Sequence, residues 1–275
     1  MTMRPVDGRA PSIGRMDVGY FGPDSVAWRL HADPTMLAGG MRALLVQALE
    51  PRAMAGVDQH SLYRADPWGR LQRTTEFVLR TTYGDRATAE AACEKVRKIH
   101  ERVRGIDPTT GQAYSASDPD LLLWIHAVEV HSFVAAYRAF AGRLDDEDAD
   151  RYVSEMVRVA ELVELPVGLA PRSLGELREY LRSVDGLQIT PAAREGMRTI
   201  FFPPMPLPLR PLWAIAATAT VAILPRVARD LYGLPWPAPA SIPVRAQVFA
   251  LTRVMNAVLP PSPIIRRARA RVAAA

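Results

Sequence analysis

Residues 118–140 read DPDLLLWIHAVEVHSFVAAYRAF. Asp118 suits a helix N-cap, and Pro119 suits the first helical position, where a missing N–H costs nothing. Beyond them, Leu121 to Phe140 is apolar nearly all round, a pattern that a helix tolerates only when other helices enclose it. This stretch is therefore expected to be the central helix of a mainly α protein. Apolar residues recur at helical spacing through most of the remaining chain, and runs of alternating polar and β-branched residues are scarce.

Working outward, a helix is expected from Met36 to Leu49, stopped by Pro51, which biases Glu50 out of the helical region. A second opens near Pro67 and carries Leu71, Thr74, Phe77 and Val78 on one side. Asp85 suits the cap of a helix from Arg86 to Arg104, ended by Gly105. Turn formers crowd residues 105–117, which read as a loop. Leu144-Asp145 through Asp148 begins another helix with acids in its first turn, and Ser173 with Glu176 spells a capping box. Pro203, Pro204, Pro206, Pro208 and Pro211 precede an apolar segment from Leu212 to Leu224. No repeat or linker divides the chain. The expected architecture is a single helical domain over 19–235, with a proline-rich C-terminal segment and a helical extension over 236–275. The basic run Arg266, Arg267, Arg269 and Arg271 reads as a frayed, solvated tail.

Composition narrows the function classes. With 275 residues, 49% hydrophobic and 23% charged, the chain can bury a large core and fits neither a disordered nor a polytopic membrane protein. One cysteine, Cys93, excludes internal disulfides, multi-cysteine metal sites and covalent haem attachment through C-x-x-C-H. The net charge of +5 comes almost wholly from dispersed arginines, since only Lys95 and Lys98 are lysines, so no nucleic-acid partner is expected. Met1 to Met16 lacks the apolar stretch of a secretory signal, and a cytoplasmic location is expected. The segment near Trp213 falls short of the roughly 20 residues a spanning helix needs, so membrane contact is not favoured.

Few residues carry chemistry. Cys93, Val96, Ile99, His100 and Val103 share one helix face while Arg97, Lys98, Glu101 and Arg102 share the other, which turns the His100 imidazole inward. Such a ring is either a hydrogen-bonded core histidine or a metal ligand. His126 and Glu129, three residues apart, are neighbours on the central helix, and Glu129 is a charge in an apolar run. They form either a structural pair or an acid/base or metal-ligand pair. His131 points elsewhere, so H-x-x-E-x-H is not a zincin helix. Arg70 and Thr74, one turn apart with Arg73 beside them, suit an anion or polar ligand, or else an ordinary amphipathic surface. Cys93 reads as a small core hydrophobe. There is no G-x-S-x-G, phosphate loop or G-x-G-x-x-G signature.

Several motifs occur in order: Phe21-Gly22-Pro23 to Trp28-Arg29, Ala55-Gly56-Val57 to His60-Ser61, Gly69-Arg70-Leu71 to Arg73-Thr74, Val96 to His100 and Val103, and Asp118-Pro119 to Leu122-Leu123-Trp124-Ile125-His126. Over roughly residues 19–235 the chain resembles the bacterial branch of the family of latex clearing protein, a rubber oxygenase, and the fungal mycophenolic-acid pathway oxygenase. The resemblance implies a globin-like helical core holding non-covalent haem b, with His100 as the proximal iron ligand. Arg70, Arg73 and Thr74 would lie at the cofactor, and Arg70, Thr74 and His126 are the catalytic candidates. The implied reaction is oxidation of a small hydrophobic substrate by dioxygen or peroxide.

The chain departs from that pattern at three places. Arg73 stands where the rubber oxygenase has a lysine able to occupy the sixth iron position, and a guanidinium does not ligate iron. Glu50 stands before Pro51 where bacterial relatives are expected to carry histidine, and His131 stands before Ser132 where an aspartate is expected. Two other readings remain at this point: a non-haem metalloenzyme using His126 and Glu129, and a non-catalytic helical binder of haem or an apolar ligand.

Overall fold

The computed structural model describes residues 17–274; the expectation for Met1 to Met16 lies outside them. Five helices come first: α1 (Val26–His31), α2 (Met36–Gln47), α3 (Pro51–His60), α4 (Pro67–Tyr83) and α5 (Arg86–His100). A small antiparallel hairpin, β1 (Arg104–Ile106) with β2 (Ala113–Ser115), leads into α6 (Pro119–Ala136), which runs on into a π turn at Tyr137–Ala141. Then follow α7 (Asp146–Leu162), α8 (Leu174–Ser183), α9 (Pro191–Phe201), α10 (Arg210–Ile223), α11 (Arg226–Tyr232), α12 (Ser241–Val258) and α13 (Pro263–Ala273). The protein is a mainly α single domain.

Helix α6 is the centre, as its composition requires. It packs against α2, α7 and α8 and buries Leu121, Trp124, Ala127, Val128, Val130, Phe133, Val134 and Ala136. Each large apolar side chain so enclosed contributes about 1.5–3 kcal/mol. The α2–α6 crossing is close because of Gly39, where a Cβ would lie 2.9 Å from Phe133 Cδ1 and 3.2 Å from Ala136 Cβ. Helix α1 joins the same core through Trp28, whose indole N–H donates to the Thr82 carbonyl at 3.0 Å while Tyr83 donates back to the Trp28 carbonyl at 2.7 Å.

Several local expectations are corrected. Pro51 does more than stop α2: it occupies the first turn of α3, and the Glu50 carboxylate caps that helix by accepting from Ala53 N. Helix α5 ends at His100 rather than Arg104, and the stretch read as a loop pairs as a hairpin with Gly105 opposite Tyr114. The buried Asp107 carboxylate accepts from Thr109 N and Thr110 N, which closes the turn, and strands of three residues are too short to show alternation. Asp118 stands at the N-cap of α6, but its carboxylate accepts from Ser115 N rather than from the helix. Ile99 is 50% exposed, and Arg97, assigned to the outer face, is half-buried and donates to the Leu162 carbonyl.

The basic end is also corrected, because it is a helix and not a frayed tail. Ile265 and Ala268 of α13 join the main core with Ile264 and Val272 beside them, and Arg271 donates to the Tyr83 carbonyl at 2.8 Å. The apolar residues recur at helical spacing, which outweighs the repulsion among exposed arginines. Among the described residues no single helix is long and apolar enough to cross a membrane. Two bent pairs reach that length and composition together, α10 with α11 and α12 with α13, at angles of 119° and 62°.

Candidate functional site

Helices α4 and α5 form a hairpin joined through Gly84 and Asp85, with the Asp85 carboxylate accepting from Thr88 N at 2.8 Å. A rise of about 1.5 Å per residue puts both Arg70 and His100 about 20 Å from that connection, at matching heights on the two arms. His100 occupies the last turn of α5, half-buried, and its ring has no hydrogen-bond partner among the described residues. Burial lowers its pKa, so the imidazole is neutral near pH 7 and offers a ring nitrogen to a metal.

Arg70 is half-buried and donates to Ser61 Oγ at 2.5 Å, which ties α4 to the end of α3. Burial, then the neighbouring Arg73, lower its pKa, and no carboxylate of the described residues pairs with it. An enclosed guanidinium with spare donors suits an anionic group. Arg73 is exposed and ion-paired to Asp66 at 3.2 Å, and the exposed Thr74 hydroxyl donates to the Arg70 carbonyl at 3.0 Å. Phe77 and Leu79, further along α4, pack on the main core.

The α6 side supplies different chemistry. Leu122, His126, Glu129 and Phe133 fall at i, i+4, i+7 and i+11, hence on one stripe. His126 and Glu129 are half-buried, and neither side chain has a hydrogen-bond partner among the described residues. Desolvation pushes the Glu129 carboxyl up to about 7 and lowers His126 to about 4, so at neutral pH the histidine is uncharged and the acid is poised between its two forms. The structural pair of His126 with Glu129, one of the two readings of the sequence, is not formed.

Sequence reading missed the buried network next to Glu129. His31 receives a partner on each ring nitrogen, Thr82 Oγ1 at 2.7 Å on Nδ1 and Tyr152 Oη at 2.8 Å on Nε2. Burial and then the Glu129 charge raise the Tyr152 phenol well above its ordinary range, and burial lowers His31 to about 3, so both are neutral. Residues from α1, α4, α6 and α7 thus place a titratable carboxyl beside a neutral Tyr–His–Thr chain. The sequence signal was His31 itself, one turn after Trp28 in an apolar helix. Cys93 is buried, and burial pushes its thiol up to about 11, which makes it an inert core residue.

The sequence matches the family described as ER-bound oxygenase mpaB/B'/Rubber oxygenase, catalytic domain, over residues 28–257. The chain belongs to this oxygenase family. No curated protein and no solved structure matches it. The matched span takes in both arms of the α4–α5 hairpin, all of α6 and the His31–Tyr152 network. Among the described residues no group of three or more His, Cys, Asp or Glu could hold a metal by itself, so His126 and Glu129 are not joined by the further carboxylates that the non-haem reading requires.

Proposed function

We propose that this chain is a haem b-dependent oxygenase that oxidises a small hydrophobic substrate with dioxygen or peroxide, with His100 as the protein ligand to iron. What supports the reading is membership of an oxygenase family together with a half-buried His100 imidazole that has no hydrogen-bond partner and a half-buried Arg70 guanidinium that no carboxylate pairs, both at the far end of the α4–α5 hairpin from its connection. A haem needs one neutral nitrogen donor for its iron and a cation for its propionates, and these two residues fit both needs. Arg73 and Thr74 extend the polar rim on the same helix.

A bound haem supplies a redox-active iron at which the oxidant is reduced as the substrate is oxidised. The chain's own residues do the rest. Arg70 holds an anionic edge of the cofactor, fixed in place by Ser61. Phe77 and Val78, half-buried further along the same helix, supply apolar surface that suits an apolar substrate. Glu129 holds or releases a proton near neutral pH at its carboxyl oxygens, the range in which a general acid or base works best. His126, uncharged, offers a hydrogen bond on the same stripe.

The test is a visible spectrum with iron analysis of the protein purified after expression with haem precursor, followed by turnover of apolar candidates with dioxygen or peroxide. A strong Soret band lost in His100→Ala and kept in His126→Ala supports the reading. A colourless protein holding stoichiometric iron overturns haem dependence, and haem binding without turnover leaves a binder instead of an enzyme.

A further inference from the structure

Helix α12 is apolar on both sides, although only one side packs against the rest of the chain. Val244, Val248 and Thr252, each four residues apart, are buried, and the two valines join Phe140 of the π turn and Ala219 and Ile215 of α10 in one cluster. At about 100° per residue, the opposite arc of roughly 140° runs from Phe249 through Ile242 and Arg253 to Val254. Ile242 is 75% exposed, Val254 59% and Phe249 47%, and the other positions of that arc are the exposed Pro243, Ala246, Ala250 and Ala257. Arg253 is the one charge among them. The outward side of a helix in water ordinarily carries its polar residues, so this side is suited to a less polar medium.

The charges nearby are of one sign. Residues 201–275 hold nine arginines against one acid, Asp230, which pairs with Arg226, so the chain before them is net acidic. Arg245 and Arg253 are exposed, and no carboxylate of the described residues pairs with either. The Arg253 guanidinium lies 5.7 Å from the centroid of the Phe249 ring, which presents a cation and an apolar face together. Helix α10, on which α12 packs, is entered by a segment of the same chemistry. Between Thr199 and Pro225 the one charge is Arg210, and Phe202, Leu207, Leu209 and Leu212 are exposed. Pro203, Pro204, Pro206, Pro208 and Pro211 have no backbone N–H to withdraw from water there.

We propose that the outward side of α12 lies flat on the surface of an anionic lipid bilayer. Ile242, Phe249 and Val254 enter the boundary between headgroups and acyl chains, and Arg245 and Arg253 meet the lipid phosphates. The shortage of apolar length noted for the sequence bears on spanning, which takes about 20 residues, and not on a helix lying in the interface. A second copy of the chain fits less well, because two such sides face to face set arginine against arginine with no acid in either helix.

The test is co-sedimentation of the full chain with phosphatidylcholine vesicles, with and without a third of phosphatidylglycerol. The chain is expected to partition onto the anionic vesicles about tenfold or more above the neutral ones, and raised salt should release it. Ile242→Glu/Val254→Glu should cut that partitioning about tenfold at an unchanged melting temperature, because both side chains are already exposed. If that variant does not fold, Arg253→Gln should weaken partitioning about fivefold, the loss of one basic contact with the surface. Wild-type protein that stays in the supernatant with both vesicles, that sediments equally with both, or that is unaffected by the substitutions in folded variants overturns the proposal. Dimerisation without lipid binding, abolished by the double variant in light scattering, also overturns it and gives this side to a second copy.

Discussion

Replacing Glu129 by glutamine should make the protein more stable, and increasingly so as pH rises. The carboxyl is held to about 7 by desolvation, against an ordinary value near 4.5. Below the ordinary value the group is protonated in both folded and unfolded chains and affects stability little. As pH rises through the folded value, the unfolded chain ionises freely while the folded chain must either keep the proton or bury a charge. Stability is therefore lost between about pH 4.5 and pH 7. A shift of about 2.5 units at about 1.36 kcal/mol per unit amounts to roughly 3 kcal/mol, a ceiling because the side chain is only half-buried. Urea unfolding of wild type and Glu129→Gln across that range reads the difference. The variant should gain roughly 2–3 kcal/mol over wild type on going from about pH 5 to pH 8, which corresponds to roughly 5–10 °C in melting temperature. Parallel pH profiles for the two proteins would show that Glu129 is solvated or paired and would remove the proton-holding role given to it.

Three further outcomes follow from named contacts. Gly39→Val drives new atoms into Phe133 and Ala136, and should cost about 1–3 kcal/mol in chemical unfolding, whereas Gly40→Ala, whose added methyl would meet nothing within 4 Å, should be neutral or slightly stabilising. Tyr152→Phe leaves His31 Nε2 without its partner and should cost about 1–3 kcal/mol; His31→Phe in the same background should then cost less than it does alone. Glu50→Ala removes the α3 cap together with the 2.9 Å contact to Arg52, and should lower stability by about 0.5–2 kcal/mol while leaving any Soret band of the purified protein unchanged.

The fold was legible where one element carried several concordant signals. Asp85 capping α5, Asp145 capping α7 and the apolar run of α6 all lie where composition and capping chemistry put them. Glu176 also reaches back as a capping box requires, though to Arg172 N rather than Ser173 N. What stayed hidden depends on distant partners. No local pattern reveals that three-residue strands pair across Asp107, or that α13 finds a place beside Tyr83. At the site, helical spacing placed His100 on a partly buried face and the apolar run around Glu129 marked it as an enclosed acid, yet neither pattern could show that each lacks a partner. His31 with Tyr152, and Arg42 with His131, unite residues about 90 to 120 positions apart, and only the tertiary packing joins them.

The account rests on the imidazole of His100 binding iron, and cavity rescue tests this most directly. Resonance Raman spectra of the ferrous haem protein should show an iron–histidine stretching mode that disappears in His100→Gly and returns in shifted form when free imidazole is added. Persistence of the unshifted mode in His100→Gly would mean that another residue holds the metal and would contradict the account.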